Sequence, residues 1–412
     1  MNSRNGQAGN GRLAMVLHIL VLSVGSFAVG TGTFVVAGVL TDIAEDLSVS
    51  TANAGLLVTV FAVTFAVGSP FLVSAASGVG RRRLLAGALV LFALANVAAA
   101  LAPSFSVLLG ARVVAACGAA IFTPLASAVA ASFAPPELRG RALSVRTIGV
   151  TLAWLVGVPL GTVVGGHYGW RTSFVLVAAL ATVAALGVRS LLPAFEASAD
   201  GSFLSYLRMV KRSAVLAGLG VTVLALMASF VVLTYVRPVL ESLTNFDTEG
   251  VGLMLAVFGL ASIPGTLLGG YVADLWGYKL SMRAVLAVLF VSLFSFSLLS
   301  TAQAGSVLAI LGTGVVLIAW SVSVFAFLPL QQYHLIEVAP EAQSTVLALN
   351  ASAIQAGQGI GAGFGALALH YGSVDGLGWV GALCALGAFA TLSFRGRASP
   401  LSDTSPSKRE PH

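Results

Sequence analysis

The feature that most constrains this chain is a succession of apolar stretches, each long enough to be one membrane-crossing helix, separated by short polar breaks that hold most of the charge. About 20 apolar residues in helical form cross the roughly 30 Å hydrocarbon core of a bilayer with every interior backbone hydrogen bond satisfied internally. A single aqueous core could not hide this much apolar surface: 58% of the 412 residues are hydrophobic and 9% are charged, where a soluble domain carries about 25% charged residues. The stretch from Arg12 to Arg395 has room for twelve spans.

Hydropathy and the polar or Pro/Gly breaks predict spans at 13–40, 52–74, 82–101, 106–131, 144–167 and 171–193, and again at 213–238, 249–273, 281–300, 304–330, 344–369 and 376–394. The longest polar segment, 194–212, carries Glu196, Asp200, Arg208, Lys211 and Arg212 and reads as a linker between two six-helix bundles, 13–193 and 213–394. The fold expected is all-α and polytopic. The first apolar run exceeds the roughly 7–15 residues of a signal-peptide core, so it is expected to remain as the first span behind a polar segment at 1–12. The tail, 395–412, is rich in Ser, Pro and charge and is expected to be disordered.

The formal net charge of +6 invites a nucleic-acid reading, but its distribution explains it. With both termini placed in the cytoplasm, all of the 21 Lys and Arg residues except Arg112, Arg171 and Arg237 fall on cytoplasmic segments. That is the bias that orients membrane proteins, and no nucleic-acid partner is needed. Cys117 and Cys384 lie inside apolar runs without metal-ligand spacing and read as packing residues. His18, His167, His334 and His370 lie near span ends and His412 in the tail, with no nucleophile or acid at informative spacing. There is no Gly-Lys-Ser/Thr phosphate loop to bind ATP. The chain is expected not to be an enzyme and to need no metal or cofactor.

The two bundles repeat. Gly157, Gly161 and Gly165 in the fifth span recur as Gly357, Gly361 and Gly365 in the eleventh, 200 positions on, and Gly80-Arg81-Arg82 after span two is matched by Gly277-Tyr278-Lys279 after span eight. Residues four apart share a helix face, so each triplet forms a smooth groove that admits another helix backbone. The groove is either a sliding surface or static packing. Pro159, which removes a backbone donor and bends its helix, favours movement.

The segment from Thr151 through Trp154, Gly157, Pro159 and Gly161 to Thr162, followed by Gly169-Trp170-Arg171, resembles the fifth-helix signature of major facilitator superfamily efflux proteins, in the branch of bacterial drug:proton antiporters. Gly30-Thr31 with Phe34, Arg112, Pro136 to Ala142, and Gly270 through Asp274 and Gly277 to Lys279 fall where that family places related pieces. The resemblance implies two rocking bundles, proton antiport of a small molecule, a monomer, and a bacterial inner membrane. It also has departures. The usual acid of the first span is Thr33, the usual Asp of the first-half loop is Ser77, and the usual Asn of the fifth span is Trp154. The nearest acids to the first span, Asp42, Glu45 and Asp46, sit at its outer end.

Candidate substrate-binding residues follow. Arg112 is a charge deep in span four, which must face a partner or a wet cavity; it either lines the cavity with Thr31, Thr33 and Phe34 or ties span four to the backbone of span one. Gln355 and Gln358 share a face of span eleven and either line the cavity or glue helices together. Trp154 offers an aromatic wall, and Tyr235 is either a second one or an interfacial anchor. Arg237 and Glu241, four apart, are expected to pair at the outer mouth, a pairing of small energetic weight if exposed. The cytoplasmic gate is expected from Arg81, Arg82 and Arg83 facing Glu337 and Glu341, and from Gly270, Asp274, Gly277 and Lys279 facing Arg139, Arg141 and Arg146. Solvated loop charges are the alternative reading. The function expected is export of a small amphipathic or aromatic molecule; an uncoupled facilitator or importer, and a non-transporting sensor on the same scaffold, are the alternatives.

Overall fold

The computed structural model describes residues 2–75, 78–133, 148–193, 208–301 and 303–398, with the side chains of 2–15, 270, 273, 274, 344 and 394–398 left out. Twelve long helices account for most of the described chain. In order they are α1 (Asn2–Gly38), α2 (Leu56–Ala75), α3 (Arg81–Ala100), α4 (Phe105–Phe133), α5 (Ile148–Tyr168) and α6 (Trp170–Leu191). The second set is α7 (Ser213–Leu233), α8 (Thr248–Gly269), α9 (Leu275–Leu299), α10 (Val307–Val338), α11 (Gln343–Tyr371) and α12 (Gly376–Ala398). Eleven have the length and hydropathy to cross a membrane. The remaining one, α11, is 29 residues long, and Asn350, Gln355, Gln358 and alternate glycines from Gly357 to Gly365 lower its hydropathy. The Pro136–Ala142 segment, Ser77, Arg139, Arg141, Arg146, the 194–207 part of the linker and the tail beyond 398 lie outside the described residues, as does the Asp274 side chain.

Local chemistry sets the breaks between helices. Ser50, Asp247 and Ser306 cap helix starts by accepting from the backbone N–H three residues on, at 3.1, 3.0 and 3.2 Å. Helix runs on from Thr248 to Leu299 except at Gly277, where φ is 71°, a conformation that side chains with a Cβ rarely adopt. Within α5, residues Ala153–Gly157 form a turn of π-helix. Pro159 supplies the reason, since it has no N–H to give the carbonyl of Leu155 and the ladder is re-registered ahead of it.

The two halves pack alike. Gly157, Gly161 and Gly165 of α5 lie against Thr31, Val35 and Val39 on or beside α1, and Gly357, Gly361 and Gly365 of α11 lie against the backbone of α7 at Val223, Met227 and Val231. A Cβ at Gly361 would stand 2.5 Å from the Met227 carbonyl oxygen. Both triplets therefore face helices of their own half. Outward-facing leucines and valines such as Leu94, Val183, Leu267 and Leu311 are exposed and suit a hydrocarbon surrounding. Exposed Tyr168 and Tyr371 stand at one end of the bundle and Trp276 near the other, the levels of the aromatic belts of membrane proteins.

The seam between halves is made by α5 with α8 and by α2 with α11. Here the close approaches belong to Gly259, whose Cβ would meet the Trp154 carbonyl oxygen at 2.4 Å, and Gly359, whose Cβ would meet Ala62, Val63 and the Thr59 carbonyl at 3.1–3.3 Å. Gly252 against Val163, Gly166 against Thr248 and Gly55 against Tyr235 continue the seam toward the end that lies away from the termini. Nearer the termini, the close approaches of Gly149 to Ser23, Gly218 to Leu335 and Gly269 to Ala326 stay within one half.

Candidate functional site, a cleft between the halves

At the inner end of this seam, near the middle of the bundle, lies a narrow cleft lined from both halves. α1 contributes Thr33, Phe34 and Ala37; α2 contributes Val58, Phe61 and Ala62; α5 contributes Trp154; α7 and the turn after it contribute Phe230, Leu233 and Thr234; α11 contributes Gln358. The wall is apolar and aromatic because each helix turns its small or apolar face inward. The π-turn ahead of Pro159 is where Trp154 enters the site. Its ring stacks on Phe34 with centroids 4.3 Å apart, and it packs against Phe258 and Phe325 of the other half at 5.5 and 6.4 Å. Phe34 also reaches across to Phe230, 6.2 Å between centroids. Such pairs add about 0.5–1.5 kcal/mol each beyond area burial. An aromatic knot thus closes the seam at the level of the cleft.

Three polar side chains line the cleft. Thr33 spends its hydroxyl proton on the Val29 carbonyl, 2.7 Å away. Thr234 is 1% exposed and its Oγ1 has no hydrogen-bond partner among the described residues. It sits at the break between α7 and a short helix, Val236–Thr244, where Pro238 has no N–H to give the Thr234 carbonyl. Gln358 is buried; Gln355, three residues nearer the start of α11, also has an unpartnered Oε1.

Above the cleft, at the end away from the termini, the halves are bridged by charge. Arg237, 7% exposed, donates from Nη1 to Asp42 of the other half and to the Gly38 carbonyl at 3.3 Å, from Nε to Glu241 at 2.8 Å, and from Nη2 to Thr248 at 3.5 Å. The i,i+4 pair with Glu241 read from the sequence is present and half-buried, with Asp42 of the opposite half paired to the same guanidinium. His167 Nε2 lies 3.2 Å from Glu249 Oε1 across the same seam. Asp46 stays within its own half. Arg171 and Trp170 both donate to it, at 2.6 and 3.1 Å, and hold its carboxyl below the ordinary carboxylate range.

These contacts and the helices that make them fit one family. A model of the Major Facilitator Superfamily matches residues 22–362. The chain belongs to the Major Facilitator Superfamily. YbcL, an MFS-type transporter of Bacillus subtilis strain 168, is 32% identical over 365 residues, 89% of this chain and 92% of the relative. The inner membrane transport protein YdhP of Escherichia coli K12 is 31% identical over 354 residues, 86% of this chain and 89% of its own. Among solved structures, a bacterial homologue of the human lysosomal transporter Spinster superposes with a TM-score of 0.73 at 17% identity, covering 94% of this chain and 97% of that one. A D-xylose–proton symporter superposes with a TM-score of 0.67 at 18% identity, covering 90% and 96%. The protein is thus a multi-pass membrane transporter of the Major Facilitator Superfamily, with twelve helices in two pseudo-symmetric bundles.

In this Major Facilitator Superfamily chain, Thr33, Phe34, Trp154 and Gln358 come together on the cleft. Arg112 does not, which corrects the cavity-lining expectation for it. It is 1% exposed behind the wall, donating to the Gly32 carbonyl at 2.8 Å and toward that of Leu57 at 3.5 Å, with its guanidinium carbon 4.3 Å from the Phe61 ring centre. It ties α4 to the backbones of α1 and α2, the alternative reading. Thr31 is likewise buried against Gly157 and off the cleft. Tyr235 is neither a cavity wall nor an interfacial anchor: it is fully buried, donates to the Ala362 carbonyl at 3.0 Å, and its ring fills the space beside Gly55 of the other half. At the end near the termini, Arg82 donates to the Leu192 carbonyl of its own half at 3.1 Å, Arg212 pairs with Glu341, and Lys279 and Arg83 are exposed.

Sequence reasoning missed Phe61, Phe230, Phe258, Phe325 and Thr234, whose residue types are ordinary in any span. It also missed the Asp42–Arg237 bridge, for which a signal existed. The segments after spans one and seven are equivalent in the repeat and carry opposite charges, and a pseudo-two-fold axis brings equivalent positions face to face.

Proposed function

We propose that this transporter exports a small aromatic or amphipathic molecule by alternating access, with protons as the counter-ion. The observation that carries the reading is the cleft lined by both halves and sealed at one end by a bridge between them: a site of this kind changes the side it faces when the halves rock about it. With the segments rich in Lys and Arg on the cytoplasmic side, both termini are cytoplasmic, the Arg237 bridge seals the outer end, and this conformation receives substrate from within. The expected gate at the cytoplasmic end, Asp274 facing Arg139 and Arg141, is its counterpart and forms when that end closes.

The proton half of the proposal rests on the resemblance of the fifth-span and loop motifs to drug:proton antiporters. A second reading, an uncoupled facilitator, is favoured by one observation: none of the residues lining the cleft carries a carboxyl group. Proteoliposomes loaded with labelled neutral aromatic compounds separate the two. Accumulation against a concentration gradient that collapses when a protonophore is added is expected for the antiporter. Equilibration that ignores an imposed pH gradient selects the facilitator, and the absence of flux across a broad panel overturns both.

A further inference from the structure

We propose that the central cleft selects uncharged, flat aromatic molecules carrying one hydrogen-bonding group and rejects organic cations. The inference rests on reading this cleft as the transport site. Its wall holds Phe34, Phe61, Trp154 and Phe230, and none of its lining residues is charged. Aromatic faces on their own attract cations through the ring quadrupole, so the sign of the charge behind the wall decides. That charge is positive. Arg112 lies against Phe61, with its guanidinium carbon 4.3 Å from the ring centre, and Phe61 also faces the cleft. Its hydrogen bonds go to carbonyls, its Nη2 has no partner, and no ion pair joins it to a carboxylate among the described residues. The acids at the seam are already engaged, Asp42 and Glu241 by Arg237 and Glu249 by His167. A ligand cation would therefore meet a ring whose quadrupole serves Arg112 and an uncompensated like charge beyond it, a disadvantage on the order of tenfold at the effective dielectric of a protein interior.

The polar groups define the rest of the ligand. Phe34 and Trp154, stacked in the N-terminal half, offer a flat surface. Thr234, with its unpartnered buried hydroxyl, and Gln358 lie in the C-terminal half. A planar ligand that stacks on the first and hydrogen-bonds to the second touches both halves at once. An unmet hydroxyl buried in an apolar wall is costly, and a ligand hydroxyl or amide relieves that cost.

Equilibrium binding in lipid nanodiscs, with empty nanodiscs subtracted, tests this with three matched probes: 2-naphthol, 2-methylnaphthalene and 2-naphthyltrimethylammonium. Binding of 2-naphthol about tenfold or more tighter than the ammonium is expected. Thr234→Val should weaken 2-naphthol about fivefold while leaving 2-methylnaphthalene unchanged. Gln358→Glu should raise ammonium binding and reverse the preference. Ammonium binding equal to or tighter than 2-naphthol in the parent overturns the proposal, as does failure of all three probes to bind at millimolar concentration. If Gln358→Glu does not fold, the Thr234→Val comparison decides: an equal loss for both neutral probes overturns the hydrogen-bonding role. Selective binding without flux in proteoliposomes would reject the transport reading and leave the selectivity standing.

Discussion

Arg237 joins the halves at the end away from the termini, and under the proposed function closure of the outer end turns on it. It is buried, it meets two carboxylates, and one of them comes from the other half. Removing one partner of a buried charge pair costs about 2–5 kcal/mol, mostly through the charge left behind, and the partial exposure of Asp42 and Glu241 places this case near the lower end. Arg237→Gln and Asp42→Asn should each shift the population toward the outward-open state. In a background lacking Cys117 and Cys384, a cysteine at Ala37 should then be labelled faster by an impermeant reagent from outside. The exchanged pair Asp42→Arg with Arg237→Asp should restore slow labelling, and unchanged labelling in the single variants would remove the bridge from the gate. Asp46 makes a contrasting prediction. Its carboxyl is held below the ordinary range by Arg171 and Trp170, so its contribution is complete above the unfolded value of about 3.9 and fades as pH falls through the lower folded value. Both side chains of the Asp46–Arg171 pair are over a third exposed, so the effect is small. Thermal stability of Asp46→Asn should sit slightly below the parent at neutral pH, and the two should converge under acid; a gap that persists there would contradict the assignment.

Glycines do two different jobs in the helices, and their neighbours tell them apart. Gly361 approaches α7 inside one half, whereas Gly259 approaches the π-turn of α5 across the seam. A methyl group at either position collides with backbone. Gly361→Ala should therefore lower the thermal stability of the protein, on the order of 1–3 kcal/mol for overpacking. Gly259→Ala should leave stability nearly intact, because rocking the halves apart relieves the clash, and should instead slow return to the sealed state. Measuring melting and outside-facing labelling on the same samples separates the two, and a Gly259→Ala protein that melts early with unchanged labelling would refute the distinction. The sequence showed the Gly157 and Gly357 triplets because they repeat. It did not show that they face α1 and α7, since a period of four fixes a face of one helix but not the helix that covers it. Gly259 and Gly359 stand outside the triplets, so no pattern marked them as seam residues.

For the molecule as a whole, the proposed function calls for two opposed latches, one at each end. The Arg237 bridge joins the halves at the end away from the termini in this conformation, and the proposed Asp274 seam would join them at the other end in the alternate one. Asp274→Asn should move the population toward the inward-open state, seen as faster labelling of a cysteine on the cytoplasmic side of the cleft. Combined with Arg237→Gln, it should return the balance toward that of the parent, because each change removes stabilisation from one side of a single equilibrium. Additive effects in the same direction would exclude that arrangement. By itself the sequence determined the number of crossings, the duplication and the membership of the family, because the cost of exposing backbone or charge to hydrocarbon is local and leaves its mark on every stretch of chain. Resemblance to the family also marked Thr33, Phe34 and Trp154, and Gln358 stood out as a polar amide within a span. Only the tertiary structure decided that Arg112 lies behind the wall, that Tyr235 fills the seam, and that Asp42 meets Arg237, 195 residues away in sequence. Those outcomes depend on which faces of separate helices meet, and packing among so many nearly equivalent apolar faces is set by the fit of whole surfaces, which no single segment encodes.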